Sequence, residues 1–146
     1  QLIAESLGKN NKGILPIISL LPKDNHSLMQ LYLDGFKNNF FTFFFVKDNV
    51  KKNIINSNII DTHSYLRGKS LNDILEAQFN ATKKVFIKKK IPFRSFYLRK
   101  KNEETLGELF TFFILETILL GKAMKINPYN QPAVELIKKE TKKNLI

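Results

Sequence analysis

The stretch NFFTFFFV (39–46) is eight residues without a charge, five of them phenylalanine. Such a run cannot be left in water, and its length suits a strand rather than a helix. Its surroundings restrict it further. Ser70 and Asp73 have the spacing of a capping box, and they predict a helix from about 71 to 90 with Leu71, Ile74, Leu75 and Phe79 facing inward. PFRSFYL (92–98) then predicts a second aromatic strand. Apolar strands alternating with helices point to a parallel sheet covered on both faces. ILPIISLL (14–21), between Gly13 and Pro22, predicts a third buried strand. Asp24 or Asn25 can cap a helix over roughly 26–34, ended by Gly35. Residues 47–62 alternate Lys, Asn and Ile without a period and predict an irregular excursion. The fold class expected is α/β: a parallel sheet with helices on both faces, followed by C-terminal helices. Three strands are few for such a sheet, so a strand preceding Gln1 is expected.

LFTFFILETILLG (109–121) predicts a buried helix running from Glu103 and Glu104 to about 125. It is apolar nearly all round, so it should be heavily covered. Glu116 interrupts it and reads most simply as a paired structural acid, since an unpaired buried carboxylate is costly. The run is too short and too interrupted to span a membrane. A last helix opens at Pro132, whose missing N–H is harmless at the first helical position. Gln131, Glu135 and Lys138 fall on nearly one face of it. Lys138 projects close to the apolar stripe of Val134, Ile137 and Leu145, whereas Lys139 and Lys143 point away.

Composition narrows the chemistry. The 146 residues contain no cysteine, which excludes a disulfide framework and thiolate metal sites and makes a reducing, cytoplasmic setting the default. His26 and His63 are far apart and lie in no metal-ligand spacing, so no metal is expected. There is no Gly-rich phosphate loop or dinucleotide fingerprint. The net charge of +11 invites nucleic acid, but only Arg67, Arg94 and Arg99 could make bidentate contacts. An excess of Lys, Asn, Ile and Phe is what AT-rich coding produces, and it accounts for the charge without a specific nucleic-acid partner. A basic surface still steers small anions.

Three segments carry a resemblance. ESLGK (5–9), DNHSLMQLYLDG (24–35) and YNQPAVELIK (129–138) resemble, in order and spacing, three active-site segments of the phosphoglucose isomerases (glucose-6-phosphate isomerases). The third is similar to that family's C-terminal signature, with Ala133 where glycine is usual. The likeness runs end to end and identifies residues 1–146 with the C-terminal sugar-isomerase (SIS-type) portion, including a helical segment from about 102.

The resemblance implies an aldose–ketose isomerase of glycolysis and gluconeogenesis that interconverts glucose 6-phosphate and fructose 6-phosphate without a cofactor. It implies that Glu5 is the catalytic base of a cis-enediol path, a role that partial desolvation of a carboxylate favours. It implies that His26 assists ring opening and comes from the neighbouring subunit of a homodimer. Imidazole suits proton relay near neutral pH. Lys138 would act at the ring oxygen and Gln131 would bind substrate, with Glu135 in a supporting role. The family's Ser/Thr-rich phosphate loop and its Gly-Gly-Arg segment, expected in an upstream domain, do not occur in residues 1–146. Without them the chain alone should be nearly inactive. Two alternatives stay open: an isomerase that also accepts mannose 6-phosphate, and a non-catalytic module binding sugar phosphate or nucleic acid. Read without the resemblance, Glu5 is a solvated helix-end acid, His26 a cap or surface residue, and Lys138 a lysine whose stem covers apolar surface.

Overall fold

A computed structural model of the protein describes residues 1–35, 37–47 and 65–146. In chain order the elements are α1 (Leu2–Leu7), α2 (Lys23–Ser27), α3 (Met29–Asp34), β1 (Phe41–Val46), α4 (Leu71–Lys88), β2 (Phe93–Leu98), α5 (Glu103–Ala123) and α6 (Pro132–Asn144). They fall into two compact units, one made of residues 1–18 and 106–146 and the other of residues 19–105. The architecture of the described residues is mixed α/β, with a small parallel sheet flanked by helices. Almost all of the expected irregular excursion over 47–62, and His63, lie outside the described residues.

In the unit of residues 19–105, β1 and β2 pair in parallel from Phe41 opposite Phe93 to Val46 opposite Leu98. The aromatic run is sorted by strand alternation. Phe41 and Phe43 each set a ring edge-on to Phe86 of α4, with centroids 5.0 Å apart. Phe45 stacks on Phe79 at 5.1 Å. Phe79 and Phe86, two turns apart on α4, are among the few buried apolar side chains. Phe44 points to the opposite face, where it stacks on Phe96 and stays exposed. Among the described residues of this unit, α4 covers the face of the sheet that carries Phe41, Phe43 and Phe45.

The capping box forms as expected. The Asp73 N–H donates to Ser70 Oγ at 3.1 Å, and the Ser70 N–H donates to Asp73 Oδ2 at 2.8 Å. Ile74 and Leu75 are half-buried and Phe79 buried, but Leu71 is exposed, contrary to expectation. At the other end, Lys90 adopts positive φ (57°) and the Ile91 N–H reaches the Phe86 carbonyl at 3.0 Å. Lys125 (φ 56°) and the Ile126 N–H bonded to Gly121 repeat this closure after α5. Both are Schellman ends with lysine in the left-handed position that glycine usually takes. Both helices consequently stop two residues short of the lengths expected.

Three further expectations are corrected. Residues 14–20 form no strand, so the described sheet has two strands instead of three. Pro16 cannot donate to a ladder, and Ile18 is 86% exposed. The helix expected over 26–34 is two short helices meeting at Leu28, and its N-cap is Pro22, not Asp24 or Asn25. The α5 helix is not heavily covered by the described residues. Its buried positions are the small Thr117 and Gly121, while Phe110 and Leu119 are 61% and 64% exposed.

Candidate functional site

Glu5 lies on α1, a single short helix fixed by fully buried Leu7. The helix stops at Gly8, whose N–H donates to the Ala4 carbonyl at 3.1 Å. A Cβ there would lie 2.9 Å from that same oxygen, so the close return of the chain requires glycine. The next four residues make a two-residue hairpin. Lys9 and Lys12 exchange backbone hydrogen bonds at 3.0 and 2.9 Å, around Asn10 and Asn11 at φ 53° and 58°. Two consecutive left-handed residues define a type I′ turn, and asparagine tolerates that conformation better than other side chains.

Gln131 arrives from the other end of the same unit. Beyond α5, the Asn127 side chain accepts the Tyr129 N–H at 2.9 Å, turning the chain toward α6. Gln131 is the N-cap residue of α6 and Pro132 its first helical residue, as expected. The two segments converge on one carboxylate. Gln131 Nε2 donates to Glu5 Oε2 at 3.4 Å, and Gln1 Nε2 donates to Glu5 Oε1 at 3.0 Å. Each carboxylate oxygen is thus met by a neutral amide, which orients Glu5 while leaving lone pairs free. Glu5 is exposed, so the described residues do not supply the desolvation expected of a base.

Lys138 belongs to the same unit, and its ammonium donates to Glu135 Oε1 at 2.7 Å. Its side chain is 66% exposed. The apolar stripe of Val134, Ile137 and Leu145 is exposed as well, and α6 buries no residue. Lys138 is accordingly not aimed inward, contrary to the expectation drawn from its helical phase. Glu135 has a definite part as its ion-pair partner. Glu116 is half-buried on α5 and engaged with a neighbour.

His26 belongs to the unit of residues 19–105, at the end of α2. Asp24 does not orient it. The Asp24 carboxylate accepts the Leu20 N–H at 2.6 Å and the Ser27 hydroxyl at 3.2 Å. His26 is exposed. Its segment is nevertheless anchored. Tyr32 sets its ring edge-on to Phe41 at 5.1 Å and shares a 2.6 Å hydrogen bond with Ser19, and Asp34 is ion-paired with Lys89. That pair holds the Asp34 carboxyl below its ordinary value, first through the hydrogen bond from Lys89 and then through its charge.

Sequence reasoning passed over Lys9 and Lys12. Lys9 Nζ donates to the carbonyls of Ser6 and Asn127, at 2.9 and 2.5 Å. Lys12 Nζ donates to the Met124 carbonyl at 2.8 Å. The signal was present as Lys-Asn-Asn-Lys, a turn sequence flanked by two cations. Among the described residues no cluster of three or more His, Asp or Glu could hold a metal ion. No helix among them is long and apolar enough to cross a membrane.

No family model matches the sequence. The chain is 39% identical over 140 residues to the glucose-6-phosphate isomerase of Methanocaldococcus jannaschii, covering 95% of this chain and 34% of that relative. It is 40% identical over 141 residues to the glucose-6-phosphate isomerase of Mycoplasmopsis pulmonis, covering 94% and 33%. It superposes on the crystal structure of a hypothetical protein from Thermus thermophilus with a TM-score of 0.88 and 28% identity, over 99% of this chain and 36% of that one. The chain is therefore homologous to glucose-6-phosphate isomerases over the matched residues, and it spans about a third of the length of the curated relatives it matches.

Proposed function

We propose that this chain is the part of a glucose-6-phosphate isomerase that carries the general base and the ring-opening groups, within a sugar-isomerase (SIS-type) domain. Glu5 removes the proton at C2 of the opened aldose and returns it at C1, through a cis-enediol(ate), to give fructose 6-phosphate. Lys138 acts at the ring oxygen together with His26, which the partner subunit of a homodimer supplies. Gln131 binds substrate and holds the Glu5 carboxylate. The reaction is an internal redox exchange between two carbons, so it consumes no cofactor. The phosphate clamp and the enediolate-stabilising arginine come from the part of the enzyme that this chain does not span.

The observation that carries this reading is the meeting of Glu5 and Gln131. Two segments that resemble the family's active-site motifs, separated by most of the chain, place a carboxylate and an amide 3.4 Å apart. The exposed Lys138–Glu135 pair does not oppose the role of Lys138. A helical pair of this kind is worth only about 0.5 kcal/mol and opens readily for an anionic ligand.

The test is Glu5→Gln in the complete protein. The amide keeps the shape of the carboxylate but cannot accept a proton, so a transition-state interaction is lost preferentially. Exchange of the C2 proton of glucose 6-phosphate with solvent should stop while substrate binding persists. Exchange within a factor of a few of wild type would remove Glu5 from the role of base.

A further inference from the structure

We infer that Lys9, supported by Lys12, is a positioning residue that fixes the Glu5 carboxylate against the segment carrying Gln131. The inference rests on the functional reading above, since it concerns how that site is assembled. Besides the Gln131–Glu5 bond, two lysine side chains tie the segment of α1 and its following turn to the α5–α6 connection. The Schellman end of α5 uses the carbonyls of Gly121 and Lys122 and leaves that of Met124 open. Lys12 Nζ fills it at 2.8 Å. One residue pair away, Lys9 Nζ bridges the Asn127 carbonyl to that of Ser6, one residue beyond Glu5 on α1. Cations are favoured at the carboxyl ends of helices, where unpaired carbonyls concentrate negative charge.

The type I′ turn makes the arrangement rigid. It fixes Lys9 and Lys12 as a hydrogen-bonded pair, so both ammonium groups reach the same connection from one hairpin. Lys9 is half-buried and its bond to the Ser6 carbonyl is partly shielded, which strengthens that bond relative to one made by a solvated lysine. A base must be held in register with the carbon it deprotonates, and a displacement of about 1 Å can cost about 10²-fold in rate. Lys9 touches no reacting atom in this scheme. It acts through the place it gives to Glu5.

The test compares Lys9→Met and Lys9→Arg in the complete protein, by kinetics and by amide hydrogen exchange. The exchange probes are the N–H groups of Glu5 and Gly8, bonded to the carbonyls of Gln1 and Ala4. Lys9→Met should lower kcat by about tenfold or more with KM changed less than about twofold, and should speed both exchange rates by about tenfold, the scale of one charge-assisted hydrogen bond. Lys9→Arg, able to donate to two carbonyls, should recover most of both. Unchanged exchange, or faster exchange with kcat retained, overturns the positioning role. Should Lys9→Met fail to fold, Lys12→Met, which removes only the bond to Met124, is decided by the same readouts. If the wild-type protein proves unable to isomerise glucose 6-phosphate, the functional reading falls and the exchange rates alone decide whether Lys9 holds α1 in place.

Discussion

Gln131 Nε2 lies 3.4 Å from Glu5 Oε2, across 126 positions of sequence. The distance is at the long end of a hydrogen bond, so the pair orients more than it binds. A neutral amide here has a consequence for substitution. In Gln131→Glu two carboxylates would face each other at this spacing, and like charges repel or share one proton. Gln131→Ala only removes a donor. In a coupled assay of the complete protein, Gln131→Glu should therefore lose more kcat than Gln131→Ala, by about tenfold. Equal losses would mean that the amide does not contact Glu5 during turnover.

The two glycines of α5 should respond differently to alanine. A Cβ on Gly107 meets nothing within 4 Å, whereas one on Gly121 lies 3.1–3.2 Å from the Pro128 ring. Alanine in a helix interior gains up to about 1 kcal/mol over glycine. Overpacking a close contact costs about 1–3 kcal/mol, and a proline ring has little freedom to give way. Gly107→Ala should raise the urea midpoint of unfolding and Gly121→Ala should leave it unchanged or lower it. A higher midpoint for Gly121→Ala would show that Pro128 moves freely.

The Asp34–Lys89 pair predicts a pH dependence whose sign is fixed. The carboxyl is held below its ordinary 3.8, so its contribution is complete above that value and is lost as pH falls through the lower folded value. Lys89→Met should return the Asp34 titration, followed by carboxyl carbon NMR, toward 3.8. The difference in urea midpoint between the two proteins should shrink as pH is taken from about 6 toward 2.5, and both groups' exposure makes it shrink with added salt also. An Asp34 titration that stays put in the variant would assign the effect to another neighbour.

The parts legible in sequence were those decided within one short stretch. The Ser70–Asp73 box, the aromatic strands over 41–46 and 93–98, and the Pro132 start are all local chemistry, and they formed. Helix ends were overrun by two residues because Lys90 and Lys125 occupy left-handed positions with no glycine to announce them. Periodicity misled where it presumed a neighbour. Leu71, Phe110, Leu119 and Ile137 are apolar yet exposed among the described residues, because a period in the sequence does not by itself supply a neighbour to pack on. The same limit affected the site. The Glu5–Gln131 meeting follows from long-range packing, and in the sequence it was available only through resemblance. The lysine ties beneath it depend on backbone carbonyls, which carry no side-chain signature.

The shared construction of the proposed site gives the most discriminating test. If Glu5 and His26 of one site come from different subunits, a closed dimer has two equivalent sites, each using Glu5 of one chain and His26 of the other. Glu5→Gln homodimers and His26→Ala homodimers should each be crippled at both sites. After mixing and reassembly, about half of the dimers are mixed by random pairing. In each mixed dimer one site carries both lesions and the other carries neither. Recovered activity should approach roughly a quarter of wild type, because half the dimers have half their sites intact. A site built within one chain behaves differently, for every site in the mixture then keeps one lesion. No recovery, with subunit exchange established by mass spectrometry, would place His26 and Glu5 of a site in the same chain.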